Sequence, residues 1–112
     1  MNHLIAPSML ASDFGNLKSE INMVNNSDAD WFHLDIMDGV FVPNISYGMP
    51  IVKTIKKYAK KPLDVHLMIE KPERYIEVFA QHGADILTVH LEACNHLHRT
   101  IEAIKKSGMQ AG

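Results

Sequence analysis

What most constrains the fold of this chain is a repeated unit: a short apolar run with internal alternation, then a longer amphipathic stretch. The runs Leu4–Met9, Trp31–Met37, Leu63–Ile69 and Asp85–Leu91 read as strands. A first helix is expected from the capping pair Ser12-Asp13 to about Asn25. A second carries Ile51, Ile55 and Tyr58 on one face, gathers Lys56, Lys57, Lys60 and Lys61 near its end, and is expected to stop at Pro62. A third opens at Lys71-Pro72-Glu73, buries Ile76, Phe79 and Ala80, and closes on a left-handed Gly83. A last helix runs from about Asn95 to Lys106 and ends at Ser107-Gly108. Repeated βα units require parallel strands joined by long crossovers. An open doubly wound sheet and a closed (β/α)8 barrel both satisfy that order. Four units are half of what a barrel needs, and Met109-Gln110-Ala111-Gly112 stands where a fifth strand would begin.

Strands of a parallel sheet are ordinarily apolar on both faces, because each face is covered. Here one face is not. Phe32, Leu34 and Ile36 alternate with His33, Asp35 and Met37. Val65, Leu67 and Ile69 alternate with Asp64, His66 and Met68, and Leu87, Val89 and Leu91 with Thr88, His90 and Glu92. The side-chain period of two sends the aliphatic set toward the helices and the polar set into the barrel. Buried imidazoles and carboxylates are costly unless they are paired or bind something. If the second and third strands are neighbours, His33, Asp35 and His66 converge on one point, a nitrogen and oxygen set suited to one divalent ion, Zn²⁺, Fe²⁺, Mn²⁺ or Co²⁺. A lone histidine is usually core filling; an H-x-D and an H-x-M of shared parity argue for a site. Ser8, after Pro7, is placed to reach a substrate, although a strand-end turn contact explains it equally well. No G-x-S-x-G elbow surrounds it, so it is not read as a nucleophile. Met37 and Met68 share the site parity and would form a soft wall. His90 and Glu92 are weaker candidates, because satisfied core polar groups explain them as well, and His3, His82, His96 and His98 are read as solvated.

Composition narrows the classes further. The chain has 112 residues, 46% of them hydrophobic, and a net charge of −2, so it is read as one domain over residues 1–112 with no surface for nucleic acid. No apolar run approaches the roughly 20 residues of a membrane helix. The start, MNHLIAPSMLASD, lacks the features of a signal peptide, and Cys94 stands alone, which favours the reducing cytoplasm.

The segment FHLDIMDGVFVPNIS, residues 32–46, resembles the signature of ribulose-phosphate 3-epimerases, supported by IAPSMLASDF, DVHLMIEKPERYI and HGADILTVHLEA in the same order. The resemblance implies a (β/α)8 barrel of the ribulose-phosphate-binding type and an isomerase of the pentose phosphate pathway. The implied reaction interconverts D-ribulose 5-phosphate and D-xylulose 5-phosphate through an enediolate. Carried over, His33, Asp35 and His66 match metal ligands, and Asp35 also matches one of two acid/base carboxylates. Ser8, His66, Met37 and Met68 match substrate contacts, while Asp38 and Asn44 belong to the signature loop that shapes the mouth. The second carboxylate and the phosphate loops have no counterpart in these residues, so the chain alone is expected to be inactive. An allulose-phosphate epimerase would share nearly every residue quoted. Decarboxylases and aldolases of the same superfamily resemble the chain less well, because they carry D-x-K where Asp64-Val65-His66 stands here. A non-catalytic half-barrel that binds metal is the reading from another class. Self-association is expected in any case, because a four-unit sheet leaves two open edges.

Overall fold

The computed structural model describes residues 3–112; Met1 and Asn2, included in the expected domain, lie outside the described residues. Four parallel strands form one sheet: β1 (Phe32–Met37), β2 (Leu63–Met68), β3 (Ile86–Thr88) and β4 (Gln110–Ala111), in the spatial order β1-β2-β3-β4. Helices α1 (Leu17–Asn25), α2 (Met49–Tyr58), α3 (Ile76–Gln81) and α4 (Leu97–Lys106) complete the units, each packed beside the next. A doubly wound sheet reverses its strand order and covers both faces. Consecutive order with one layer of neighbouring helices is the barrel solution, and β4 begins where a fifth run was expected.

The aliphatic parity does what the alternation requires. Phe32, Leu34, Val65, Leu67 and Leu87 are fully buried together with Ile21, Val52, Ile55, Phe79 and Ile104 from the helices. Each such side chain contributes roughly 1.5–3 kcal/mol on leaving water, so the pattern fixes which face meets the helices. On α2 the buried pair is Val52 and Ile55, while Ile51 is only half-buried.

Several expected boundaries shift, each for a local reason. Leu4–Met9 is not a strand: the segment lies beside β1 but joins it through a single bridge, Ser8 to His33. The His33 N–H donates to the Pro7 carbonyl at 3.1 Å, and Pro7 has no N–H to return. The run at Asp85–Leu91 is strand only over Ile86–Thr88; Leu91–Ala93 turns into a 3-10 helix, which leaves Leu91 63% exposed. The third helix starts as a 3-10 turn, Pro72–Tyr75, before α3 proper. The second ends at Tyr58, four residues before Pro62, with Ala59 extended. The first is likewise split, with Asp13 capping a 3-10 turn at Phe14–Asn16 through the Gly15 N–H. Gly83 does close α3 with φ +103°, and an added Cβ there would meet Lys56 Cγ at 2.4 Å. His82, expected in solvent, is half-buried, and its Nδ1 lies 2.8 Å from the Val78 carbonyl at the end of α3.

Lys61 has a task that charge counting does not show. Its Nζ donates to the carbonyls of Val24 at 2.8 Å, Ser27 at 2.9 Å and Ala29 at 2.6 Å, closing the turn between α1 and β1. Hydrogen bonds to a charged donor are worth about 1.5–3 kcal/mol net. Lys61→Met, which keeps the stem and removes the ammonium, should lower stability by roughly that amount in urea denaturation. An unchanged midpoint would show that solvent satisfies these carbonyls as well as the lysine does.

Candidate metal centre and active site

The β1–β2 register sets His33 opposite Asp64, Asp35 opposite His66, and Met37 opposite Met68. All six side chains lie on the face away from the helices. His33 Nε2 is 3.0 Å from Asp35 Oδ1, and His66 Nδ1 is 3.3 Å from the same oxygen. One ligand atom from each of the three residues lies within 4.8 Å of the other two. Four ligands at the usual ~2.1 Å bond length stand about 3.4 Å apart around a tetrahedral ion, so these imidazoles and this carboxylate fit a divalent metal. The expected donor set is therefore assembled in the structure.

Each donor is backed by a second group. His33 Nδ1 is 2.8 Å from Asp64 Oδ2, the carboxylate–histidine pairing that orients a ligand ring. The hydrogen bond that the His33 ring donates to Asp64 is the main reason the His33 pKa rises above 6.5, working against burial and helped by the charge of Asp35. His66 moves the other way: burial, and then the neighbouring His90, lower its pKa. Ser8 Oγ donates to Asp35 Oδ2, so the two carboxylate oxygens face different partners. Met37 and Met68 stand side by side at the strand ends, both half-buried.

Several contributors were not read from the sequence. Ser46 Oγ donates to the Asp35 carbonyl at 2.6 Å and accepts from the Met37 N–H at 2.9 Å. Tyr47 Oη accepts from the Asp35 N–H at 3.1 Å, and burial, with Asp35 nearby, pushes its pKa up to about 12. Nothing in the loop pattern singles these two out. Asp38 shows a local signal, an Asx turn: Oδ1 accepts from the Val40 and Phe41 N–H groups, while Oδ2 accepts from Glu70. Desolvation pushes the Asp38 carboxyl up, yet the N–H groups of Glu70, Val40 and Phe41 hold it below 3.8. Asn44 is exposed. Cys94 is half-buried with its thiol pKa raised chiefly by that burial. A groove of about 470 Å³ between α3 and α4, beside Ile76, Arg99 and Thr100, lies in the helical layer away from this cluster.

A pattern describing the ribulose-phosphate 3 epimerase family matches residues 4–112. The chain belongs to that family. It is 56% identical over 108 residues to the ribulose-phosphate 3-epimerase of Bacillus subtilis (strain 168), covering 96% of this chain and 50% of the relative. To the enzyme of the same name from Synechocystis it is 53% identical over 113 residues, covering 99% of this chain and 49% of that one. The chain thus spans about half the length of the curated relatives it matches. The crystal structure of tryptophan synthase subunit alpha from Legionella pneumophila str. Paris shares the fold at a TM-score of 0.64 and 16% identity, over 96% of this chain and 51% of that one. The expected barrel-type α/β fold is thereby borne out, as is the family. Among the described residues no helix is long and apolar enough to cross a membrane.

The Asp64–His33 pair sets a pH dependence. Because the folded pKa of His33 is raised, the stabilisation from its protonated ring is complete below pH 6.5 and is lost as pH rises through the folded value. With a chelator present, Asp64→Asn should flatten that component of the stability–pH profile and bring the His33 titration down toward 6.5 by NMR. An unshifted His33 titration would remove Asp64 from this role.

Proposed function

We propose that this chain carries the metal-holding and first acid–base part of an isomerase site that interconverts D-ribulose 5-phosphate and D-xylulose 5-phosphate. The convergence of His33, Asp35 and His66 within 4.8 Å, on the sheet face away from the helices, carries this reading. His33, Asp35 and His66 would hold one divalent ion, Zn²⁺, Fe²⁺, Mn²⁺ or Co²⁺. Bound there, the ion supplies positive charge against the substrate oxygens as the carbon beside the ketone loses its proton.

The residues of the chain divide the remaining work. Asp35 Oδ1 faces both imidazoles, whereas Oδ2 faces the Ser8 hydroxyl, so one carboxylate offers a ligand atom and a proton-transfer atom. Asp35 takes the proton from one face of the carbon, leaving an enediolate. Ser8, exposed beside Oδ2, holds that oxygen in place and offers its hydroxyl to the substrate. His66 contributes on the substrate side as well as to the ion. Met37 and Met68 form a polarisable wall that excludes water without competing for protons. Proton delivery to the opposite face and the grip on the substrate phosphate are assigned to no residue of this chain, and the 112 residues alone are expected to be inactive. We place the chain in the cytoplasm as one domain that self-associates. The lone Cys94 supports the first of these assignments.

Two measurements test the reading. Metal analysis of the purified protein should find about one divalent ion per chain, and His33→Ala and His66→Ala should each lose most of it. Equal content in all three proteins would end the metal assignment. In a complete barrel that carries these residues, Asp35→Asn should keep the fold and lose about 10²–10⁴-fold in epimerisation rate, the usual worth of a general acid–base. A loss below about tenfold would move the proton-transfer role to another group.

A further inference from the structure

His66 is flanked on both ring nitrogens. Nδ1 faces Asp35 Oδ1 at 3.3 Å, and Nε2 faces His90 Nε2 at 2.7 Å. The two rings are nearly parallel, 4.8 Å between centroids with 26° between planes. Phe41 packs on the other ring, His90, at 5.2 Å, and His90 Nδ1 stands 3.6 Å from Glu92 Oε2. Two neutral imidazole nitrogens at hydrogen-bond distance share one proton, so one ring donates and the other accepts. The direction of that bond depends on the demand at His66 Nδ1. Facing the carboxylate alone, Nδ1 carries the proton, and Nε2 must accept from His90 Nε2–H. Facing a cation, Nδ1 must offer its lone pair; the proton moves to Nε2, and His90 must accept it.

We infer that His90 is a positioning residue whose Nε2 accepts the His66 proton and so frees His66 Nδ1 to bind a divalent cation. Its own proton then sits on Nδ1, toward Glu92. This rests on the metal reading above and adds a residue that touches neither the cation nor the substrate. Phe41, on the loop after β1, packs against the acceptor ring at a tilt and holds it in place while its tautomer changes. The two histidines are thus coupled: His90 changes its protonated nitrogen when a cation binds, although it is no ligand.

The test uses the full chain with ¹⁵N-labelled histidine, titrated with Zn²⁺ and read by ring-nitrogen shifts and by competition against a chelator. His90→Phe keeps a ring against Phe41 and removes the acceptor; His90→Gln puts an amide oxygen near the position of Nε2. Zinc should convert His66 from Nδ1–H to Nε2–H and His90 from Nε2–H to Nδ1–H. His90→Phe should weaken zinc binding by about 10- to 100-fold, as loss of such an outer partner does elsewhere, and His90→Gln should restore most of it. If zinc inverts His66 while the His90 signals stay as they were, the inference is overturned, whether or not the Phe variant folds. Equal zinc affinity in wild type and His90→Phe overturns it too, leaving the metal reading intact. Failure of the wild-type chain to bind zinc removes the metal reading itself and the inference with it.

Discussion

A slip of one residue of β1 against β2 would turn Leu34 and Ile36 outward and drive His33 and Asp35 beneath the helices, away from His66. The second half of that exchange is the more costly, because the helical side offers these polar groups no partners. The pairing of Asp35 with His66 is therefore held by residues that never touch the site. Phe32, Leu63 and Leu87 pin the sheet to α1–α4, and the strand pleat hands the opposite face to chemistry. Core stability and site geometry are one constraint, seen from the two sides of the sheet.

The outer side of β1 raises a separate difficulty. The N-terminal segment satisfies His33 through the Pro7 carbonyl, but among the described residues no strand continues beside Asp35 and Met37. The loop after β1 fills the place of a strand with side chains. Ser46 Oγ serves both the Asp35 carbonyl and the Met37 N–H, Tyr47 Oη serves the Asp35 N–H, and the Ser46 N–H donates to the Met37 carbonyl. Asp38 then ties that loop to the exit of β2 through the Glu70 N–H. The backbone that carries Asp35 is fixed by hydrogen bonds rather than by another strand, so an edge position gains the rigidity of an inner one.

This contrast explains what could be read from the sequence. The alternation through residues 32–37 and 63–68 is a global constraint, since every second residue must agree, and it revealed the sheet, the core face and the donor triad together. Pro7 and the short β3 escape the same logic because a strand needs partners as well as a pattern. Leu4–Met9 has the right residues and only one bridge, and Leu91 has the right parity but falls after the chain has turned. Ser46 and Tyr47 were invisible for another reason: their role depends on where a loop returns, which no local periodicity encodes. His90 lies between these cases. Its parity placed it on the polar face, while its contact with His66 depends on how β2 and β3 are paired.

Charge is the remaining link between fold and chemistry. Asp35 and Asp64 bring two carboxylates to the polar face, both mostly buried, with His33 bridging them through its two ring nitrogens. Protonated, that ring donates to both and halves the local negative charge. A divalent cation at the same donors needs the ring neutral at Nε2 and cancels both charges. Proton and cation thus compete for one nitrogen, and Asp64 strengthens the ring for either. His66 is tuned in the opposite sense, with burial and His90 disfavouring its protonated form, so it stands ready as a neutral ligand when His33 is still charged. Unequal partners, one backed by a carboxylate and one by a second imidazole, separate the two rings: His33 holds a proton more firmly than a free imidazole and His66 less firmly, so the two ligands meet a cation on different terms.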